Sequence, residues 1–311
     1  MSAPGAARRA LVVGQGSIGR RHAGWLAALG LDVAAVSARG AAVGARFADL
    51  AAGLAGHRPD HVVVANETGA HGASLRALAQ AGFAGSVLVA QPLVAGPGEL
   101  GAVGALPRLH VAYQLRFLPV IAALRRVLAG ERVLTASFRV GQHLDAWRPD
   151  RATRDAYSAW RQRGGGALRD LSHELDLALW LLGPWRRVAA LGGRLAEVTA
   201  DADDSWAILL ESASGAAATL QLDLLDRPGE RRIALQTPTR TLRADLLAGR
   251  LMIDDRGEDH VVALDSSHLA MHRAVLGAGP GEPCTASEGI AVVGLIDAIE
   301  RAAAQRGWVA A

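Results

Sequence analysis

The chain has 311 residues, half of them hydrophobic and a fifth charged, which suits about two packed domains and argues against disorder. Every one of its 33 cationic side chains is an arginine, against 30 acidic residues for a formal charge of +3. The arginines are scattered through both halves, so a nucleic-acid footprint and lysine chemistry such as Schiff-base formation are both disfavoured. The opening residues lack the apolar core of a signal peptide, no stretch reaches the roughly 18 apolar residues of a membrane span, and the lone Cys284 can form no internal disulfide; a cytoplasmic protein is expected.

From residue 10 to about 113, short apolar runs at 11–13, 33–36, 61–65, 86–90 and 109–113 alternate with helix-length segments rich in Ala and Leu. That alternation predicts a parallel sheet wrapped by crossover helices. Beyond Arg116 the pattern predicts a helix over 119–129, a strand over 133–140, and a polar stretch over 142–163 carrying Trp147 and Trp160. That stretch is too long for a plain connector and reads as a functional loop. A helix over 166–182 is stopped by Gly183-Pro184, and strand-like runs follow at 188–191, 206–210, 217–222, 233–236 and 261–264. Their close spacing predicts a largely antiparallel sheet, and a last helix is expected over 286–305. The fold class is therefore α/β: a domain with a parallel sheet over 1–115 and an α/β domain with a mainly antiparallel sheet over 116–311.

Gly14-Gln15-Gly16-Ser17-Ile18-Gly19 directly follows the first strand and opens a helix. In that setting Gly14 permits a tight turn, Gly16 lets backbone approach a pyrophosphate, Gly19 allows helix to pack on strand, and the amides from Ser17 and Ile18 onward face the phosphates. Where an NAD site carries a carboxylate after the second strand, this chain reads Ser37-Ala38-Arg39. A hydroxyl and a guanidinium suit a 2′-phosphate, so NADP(H) is expected over NAD(H), the lesser alternative being that Arg39 is one more solvated arginine.

With these residues the chain resembles the glucose-fructose oxidoreductase, inositol dehydrogenase and MocA family. The likeness runs through Arg21-His22, Asn66-Glu67-Thr68 with His71, Gln91-Pro92, Gln114-Leu115-Arg116-Phe117, Trp160-Arg161, Gly164-Gly165-Gly166, Asp170-Leu171-Ser172-His173-Glu174-Leu175-Asp176 and Ser287-Glu288-Gly289. The resemblance implies a Rossmann domain followed by an α/β domain with a large open sheet, and reversible hydride transfer between a nicotinamide and a small carbonyl or alcohol, often a sugar or cyclitol, without a metal, in a homodimer or homotetramer. It places Asn66, Thr68, His71, Gln91 and Pro92 on the coenzyme, and Arg116, Tyr157, Trp160, Asp170 and His173 at the substrate.

One departure matters: the family reads Glu-Lys-Pro where this chain has Ala90-Gln91-Pro92. An amide can donate a hydrogen bond but has no proton to give near neutral pH. His173 becomes the expected proton handler, oriented by Asp170 or Asp176. Periodicity alone also allows these polar residues to be the wet face of a helix whose leucines enter the core. A catalytically silent NADP-binding protein, in which Gln91 records lost chemistry, is the competing reading, and reduction of an already protonated imine is a variant of the first. His268 and His272 have a metal-like spacing without the accompanying glutamate and are not expected to hold one.

Overall fold

A computed structural model describes residues 8–38, 43–147, 155–261, 263 and 265–311. The chain divides into two compact units, one formed by residues 1–113 with 268–290 and the other by 114–267 with 291–311. The expected single crossing near 115/116 is thus replaced by three crossings, because a late segment of the chain returns to the first unit.

In the first unit, β1 (Arg9–Val13), β2 (Asp32–Val36), β3 (Arg46–Phe47), β4 (His61–Val64), β5 (Ser86–Val89) and β6 (Leu109–Val111) form a parallel sheet. Their spatial order is β3-β2-β1-β4-β5-β6, the dinucleotide-fold order with its switch point between β1 and β4. Leu11, Val12, Val62, Val63, Val64, Val87, Leu88 and Val89 are all fully buried. Continuous apolar runs are what a sheet covered on both faces requires. Among the helices, α1 (Ser17–Ala28) and α2 (Leu50–His57) pack on β1 and β2, and α3 (His71–Gln80) follows β4. The side chain of Asp49 accepts a hydrogen bond from the Ala52 amide at 2.8 Å and caps α2. The returning segment adds the strand Cys284–Thr285, antiparallel to β6, and the helix Ser266–Val275, whose His268 stacks on Trp25 and whose His272 meets His22.

The second unit is built on a nine-stranded sheet. Its members are β7 (Thr135–Gly141), β8 (Trp185–Gly193), β9 (Ser205–Ser212), β10 (Ala217–Asp223), β11 (Glu230–Gln236), β12 (Thr241–Asp245), β13 (Arg250–Ile253), β14 (Arg256–Asp259) and the closing strand Val309–Ala310. All neighbours run antiparallel except β7 and β10, which pair in parallel. Burial alternates along β7, β9 and β10, so only one face is covered. The covered face receives α4 (Pro119–Val127), α6 (Ala167–Asp170) and α7 (His173–Leu182), with α5 (Leu144–Trp147) a single short turn between β7 and α6.

Three expectations change. The helix expected over 166–182 is broken at Leu171 and Ser172, where the Ser172 amide reaches back only to Arg169 O at 3.2 Å and a new helix begins. The run at 261–264 lies partly outside the described residues, and the strands β12, β13 and β14 precede it. Much of the polar stretch, residues 148–154, also lies outside them; its described end carries 3-10 turns at Tyr157–Ala159 and Arg161–Arg163.

Candidate functional site

At the carboxyl end of β1, the chain turns at Gly14 with φ +97°, and the Gly14 amide donates to Val36 O at 3.0 Å. A Cβ on Gly14 would lie 2.7 Å from Ala65 O and Asn66 N, the exit of β4, so the turn is pressed into the switch point. A Cβ on Gly19 would collide with the Gly14 carbonyl, whereas Gly16 has nothing within 4 Å of such an atom. Two glycines are therefore required by the protein's own backbone, and the third leaves open space over the start of α1. Gly16 caps α1 with no side-chain hydrogen bond, and the first turn carries no acidic residue. The amides at Ser17 and Ile18 with the positive end of the helix dipole form an anion-binding surface. These residues fit a dinucleotide's pyrophosphate.

Ser37 follows β2 directly, while Arg39 lies outside the described residues. In the loops after β4 and β5, Asn66 donates through Nδ2 to Ser74 Oγ at 3.0 Å, and Thr68 is buried. The buried ring of His71 contacts Pro92 O through Nδ1 at 3.0 Å and Asn66 O through Nε2 at 3.3 Å. Burial pushes its pKa below the ordinary histidine value, against the pull of those carbonyls. A neutral imidazole donates once, so the shorter Pro92 contact takes the proton and His71 braces the β4 loop to the β5 loop. Gln91 is half-buried at the end of β5, joined to Pro92 by a cis peptide bond.

In the second unit, Tyr157 donates its hydroxyl to Asp170 Oδ1 at 2.9 Å. The Gly164-Gly165-Gly166 run makes this possible: a Cβ at Gly165 would strike Tyr157 O and one at Gly166, with φ +114°, the Asp203 carboxylate. Asp203 accepts from the Leu168 amide at 2.8 Å and from Trp206 Nε1 at 2.7 Å, which anchors the start of α6. Its burial nonetheless pushes its pKa up. His173 opens α7, 8% exposed with its Nδ1 buried. Trp160 is exposed at the edge of the polar stretch.

Arg116, expected at the substrate, and Asp176, a candidate partner of His173, are brought together as a buried pair. Arg116 Nε and Nη2 clasp Asp176 Oδ2 and Oδ1 at 2.9 and 2.6 Å, both side chains buried, and the guanidinium lies 5.0 Å from the Trp180 ring centre. Two residues earlier on α7, Arg231 pairs with buried Glu174 at 2.8 Å, which opposes the upward push of burial on that carboxyl. Sequence reasoning missed both pairs; alternation of acids along α7 with no nearby solvent face was the available signal. Among the described residues no group of three or more His, Cys, Asp or Glu is arranged to hold a metal, and no helix is long and apolar enough to cross a membrane.

Residues 123–242 match the family model of the GFO/IDH/MocA C-terminal domain. No curated protein matches the chain in sequence. Among solved structures it is similar to GenD2 from gentamicin A biosynthesis in complex with NAD, at 21% identity and TM-score 0.82 over 98% of this chain and 96% of that one. It is similar to the WlbA dehydrogenase from Bordetella pertussis in complex with NADH and UDP-GlcNAcA, at 20% identity and TM-score 0.82 over 100% and 99%. A third is levoglucosan dehydrogenase with NADH and levoglucosan, at 17% identity and TM-score 0.83 over 98% and 99%. Residues 123–242 are thus similar to the C-terminal domain of the GFO/IDH/MocA family, and over nearly its whole length the chain has the fold of these dehydrogenases.

Proposed function

We propose that the protein is an NADP-preferring oxidoreductase that moves a hydride between the nicotinamide and a sugar- or cyclitol-like carbonyl or alcohol. The observation that carries this reading is the Gly14 turn at the β1/β4 switch point, open over Gly16 and closed under Gly19. The ligands of the similar structures, a sugar nucleotide and levoglucosan, support a polyol substrate.

The bound coenzyme supplies hydride chemistry; the chain's own residues do the rest. Amides from Ser17 to Gly19 hold the pyrophosphate, Ser37 and Arg39 the 2′-phosphate, and Asn66, Thr68, Gln91 and Pro92 the nicotinamide ribose, with His71 bracing their two loops. In the second unit, His173 exchanges the proton of the substrate oxygen at Nε2, since Nδ1 is buried. Asp170, held by Tyr157, keeps negative charge near the start of α7, and Trp160 covers the substrate. The Arg116–Asp176 pair fixes the α7 backbone that carries His173.

Turnover is tested by following nicotinamide absorbance with keto sugars, inososes and cyclic imines. NADPH should bind more tightly than NADH, with the difference removed by Arg39→Ala, and His173→Ala should cut turnover by about 10² to 10⁴ without loss of coenzyme binding. Equal affinities refute the NADP preference, and full turnover in His173→Ala refutes the proton assignment. Gln91, in a chain without any lysine, favours one other reading, a coenzyme-binding protein without turnover; tight NADPH binding with no reaction on any of these substrates selects it.

A further inference from the structure

The first unit has a second concave site at the opposite end of its sheet from the glycine turn. A cleft of about 740 Å³ opens at the amino ends of β1, β2, β4, β5 and β6, lined by Arg8, Asp32, Asp60, His61, Ser86 and Arg108 among others. One strand length, about 13 Å, separates this edge from the Gly14 turn. Dinucleotides bind at carboxyl ends of such sheets, so the cleft is separate from the coenzyme surface.

Its floor is polar and unsatisfied. His61 is fully buried, yet neither ring nitrogen meets a hydrogen-bond partner, and the buried Ser86 hydroxyl meets none either. Burial, with the fields of His110, Arg8 and Arg108, brings the pKa of the imidazole down to about 4, against an upward pull from the nearby Ser86 backbone. His61 is thus a neutral ring, able to donate at one nitrogen and accept at the other. Buried polar atoms without partners are rare in native proteins because each costs its full desolvation.

The mouth is cationic and pre-aimed. Arg8 uses Nη1 to hold Leu276 O at 2.6 Å, and Arg108 uses Nη2 to hold Ala84 O at 3.0 Å, each leaving most of its five donors for other partners. Among the described residues neither has a carboxylate at ion-pair distance. Asp32 and Asp60 share the rim, and Asp60 accepts from the Arg9 amide at 3.0 Å. Two guanidiniums beside a hydroxyl suit a phosphoryl group. The two carboxylates suit hydroxyl donors and would repel a polyanion. The volume is that of a small-metabolite pocket and exceeds what inorganic phosphate would fill.

We propose that this cleft binds the phosphate monoester of a small polyol, with the phosphoryl group against Arg8 and Arg108 and the hydroxyls against Asp32 and Asp60, over the floor that His61 and Ser86 form. The test is titration of the full chain with glucose 6-phosphate, inorganic phosphate and glucose, with and without NADPH, read by the histidine ¹⁵N resonance of His61. Arg108→Gln removes the charge while keeping a donor for Ala84 O, so the fold is retained. The expected result is saturable binding of glucose 6-phosphate near or below about 1 mM, unaffected by NADPH and at least about tenfold weaker in Arg108→Gln, with glucose inert. Absence of saturable binding, equal binding by the variant, or displacement by NADPH overturns the site; inorganic phosphate binding as tightly as the sugar phosphate overturns the polyol assignment.

Discussion

Acidification should unfold the first unit before the second, and the buried histidines set the size of the effect. His22, His61 and His272 are at most 1% exposed, and His22 Nδ1 lies 2.9 Å from His272 Nε2, so the pair shares one proton between two neutral rings. Burial, reinforced by the neighbouring histidines, lowers His22 from 6.5 to about 3; burial lowers His61 to about 4, and His272 falls well below its ordinary value. A histidine whose folded pKa is depressed stays neutral in the native state while the unfolded chain takes up its proton, so stability is lost as pH falls below about 6.5. At about pH 5 the native rings are still neutral, and each unfolded imidazole gains RT ln(1 + 10^1.5), about 2 kcal/mol. His22 and His61 together cost about 4 kcal/mol, a large part of the stability of an ordinary domain, and His272 adds in the same direction. Buried Glu174 and Asp203 in the second unit work in the opposite sense: their raised pKa values mean that acidification relieves a cost. Hydrogen exchange at about pH 7.5 and pH 5, corrected for intrinsic rates, should show β1 and β4 losing protection while β9 and β10 keep it. His22→Leu should remove about 2 kcal/mol of the acid loss in urea titrations. Equal protection of β1 and β4 at both pH values, or an acid loss shared evenly by the two sheets, would refute the reasoning.

Replacing Gly16 by Val should leave the melting temperature nearly unchanged and weaken coenzyme binding at least about tenfold in fluorescence titrations, because the added atoms meet only open space in the free protein. Gly19→Val should lose both binding and stability, since its Cβ meets the Gly14 carbonyl. Asp176→Asn should destabilise the second unit by about 3 to 5 kcal/mol in urea denaturation, leaving Arg116 buried beside a neutral amide, while a joint Arg116→Met, Asp176→Leu variant should recover most of that loss. Tyr157→Phe should cost about 1 to 3 kcal/mol by stripping the buried Asp170 carboxylate of a donor, and should lower kcat more than it changes coenzyme affinity.

The parallel sheet was readable because its strands are buried on both faces and spell unbroken apolar runs such as His61-Val62-Val63-Val64, punctuated by Gly14, Asn66 and Gln91. The glycine fingerprint was readable for a related reason: Gly19 answers to the Gly14 carbonyl five residues before it, and Gly14 to the exit of β4, the strand beside β1. The strands β12 to β14 were not: Thr241–Asp245 alternates, but over only five residues with Leu242 and Ala244 as its apolar members, and Arg256–Asp259 is exposed throughout and has no apolar residue. Trp308 is half exposed and carries Arg187 at 4.8 Å from its ring centre. The helix break at Leu171 and Ser172 left no mark, because neither residue is a helix breaker; the turn is imposed by the anchoring of α6 on Asp203. Arg116 looked like a binding residue because nothing local shows that its partner lies 60 positions later.

The strand Cys284–Thr285 and the helix Ser266–Val275 come from the last fifth of the sequence yet complete the first sheet. During synthesis, then, the opening hundred or so residues emerge with β6 as a bare edge and with Trp25 and His22 uncovered, and they wait for most of the polypeptide before they can close. A nascent chain stalled before residue 266 should therefore depend on chaperones, and cutting the gene at the apparent boundary near residue 113 should yield a fragment that aggregates.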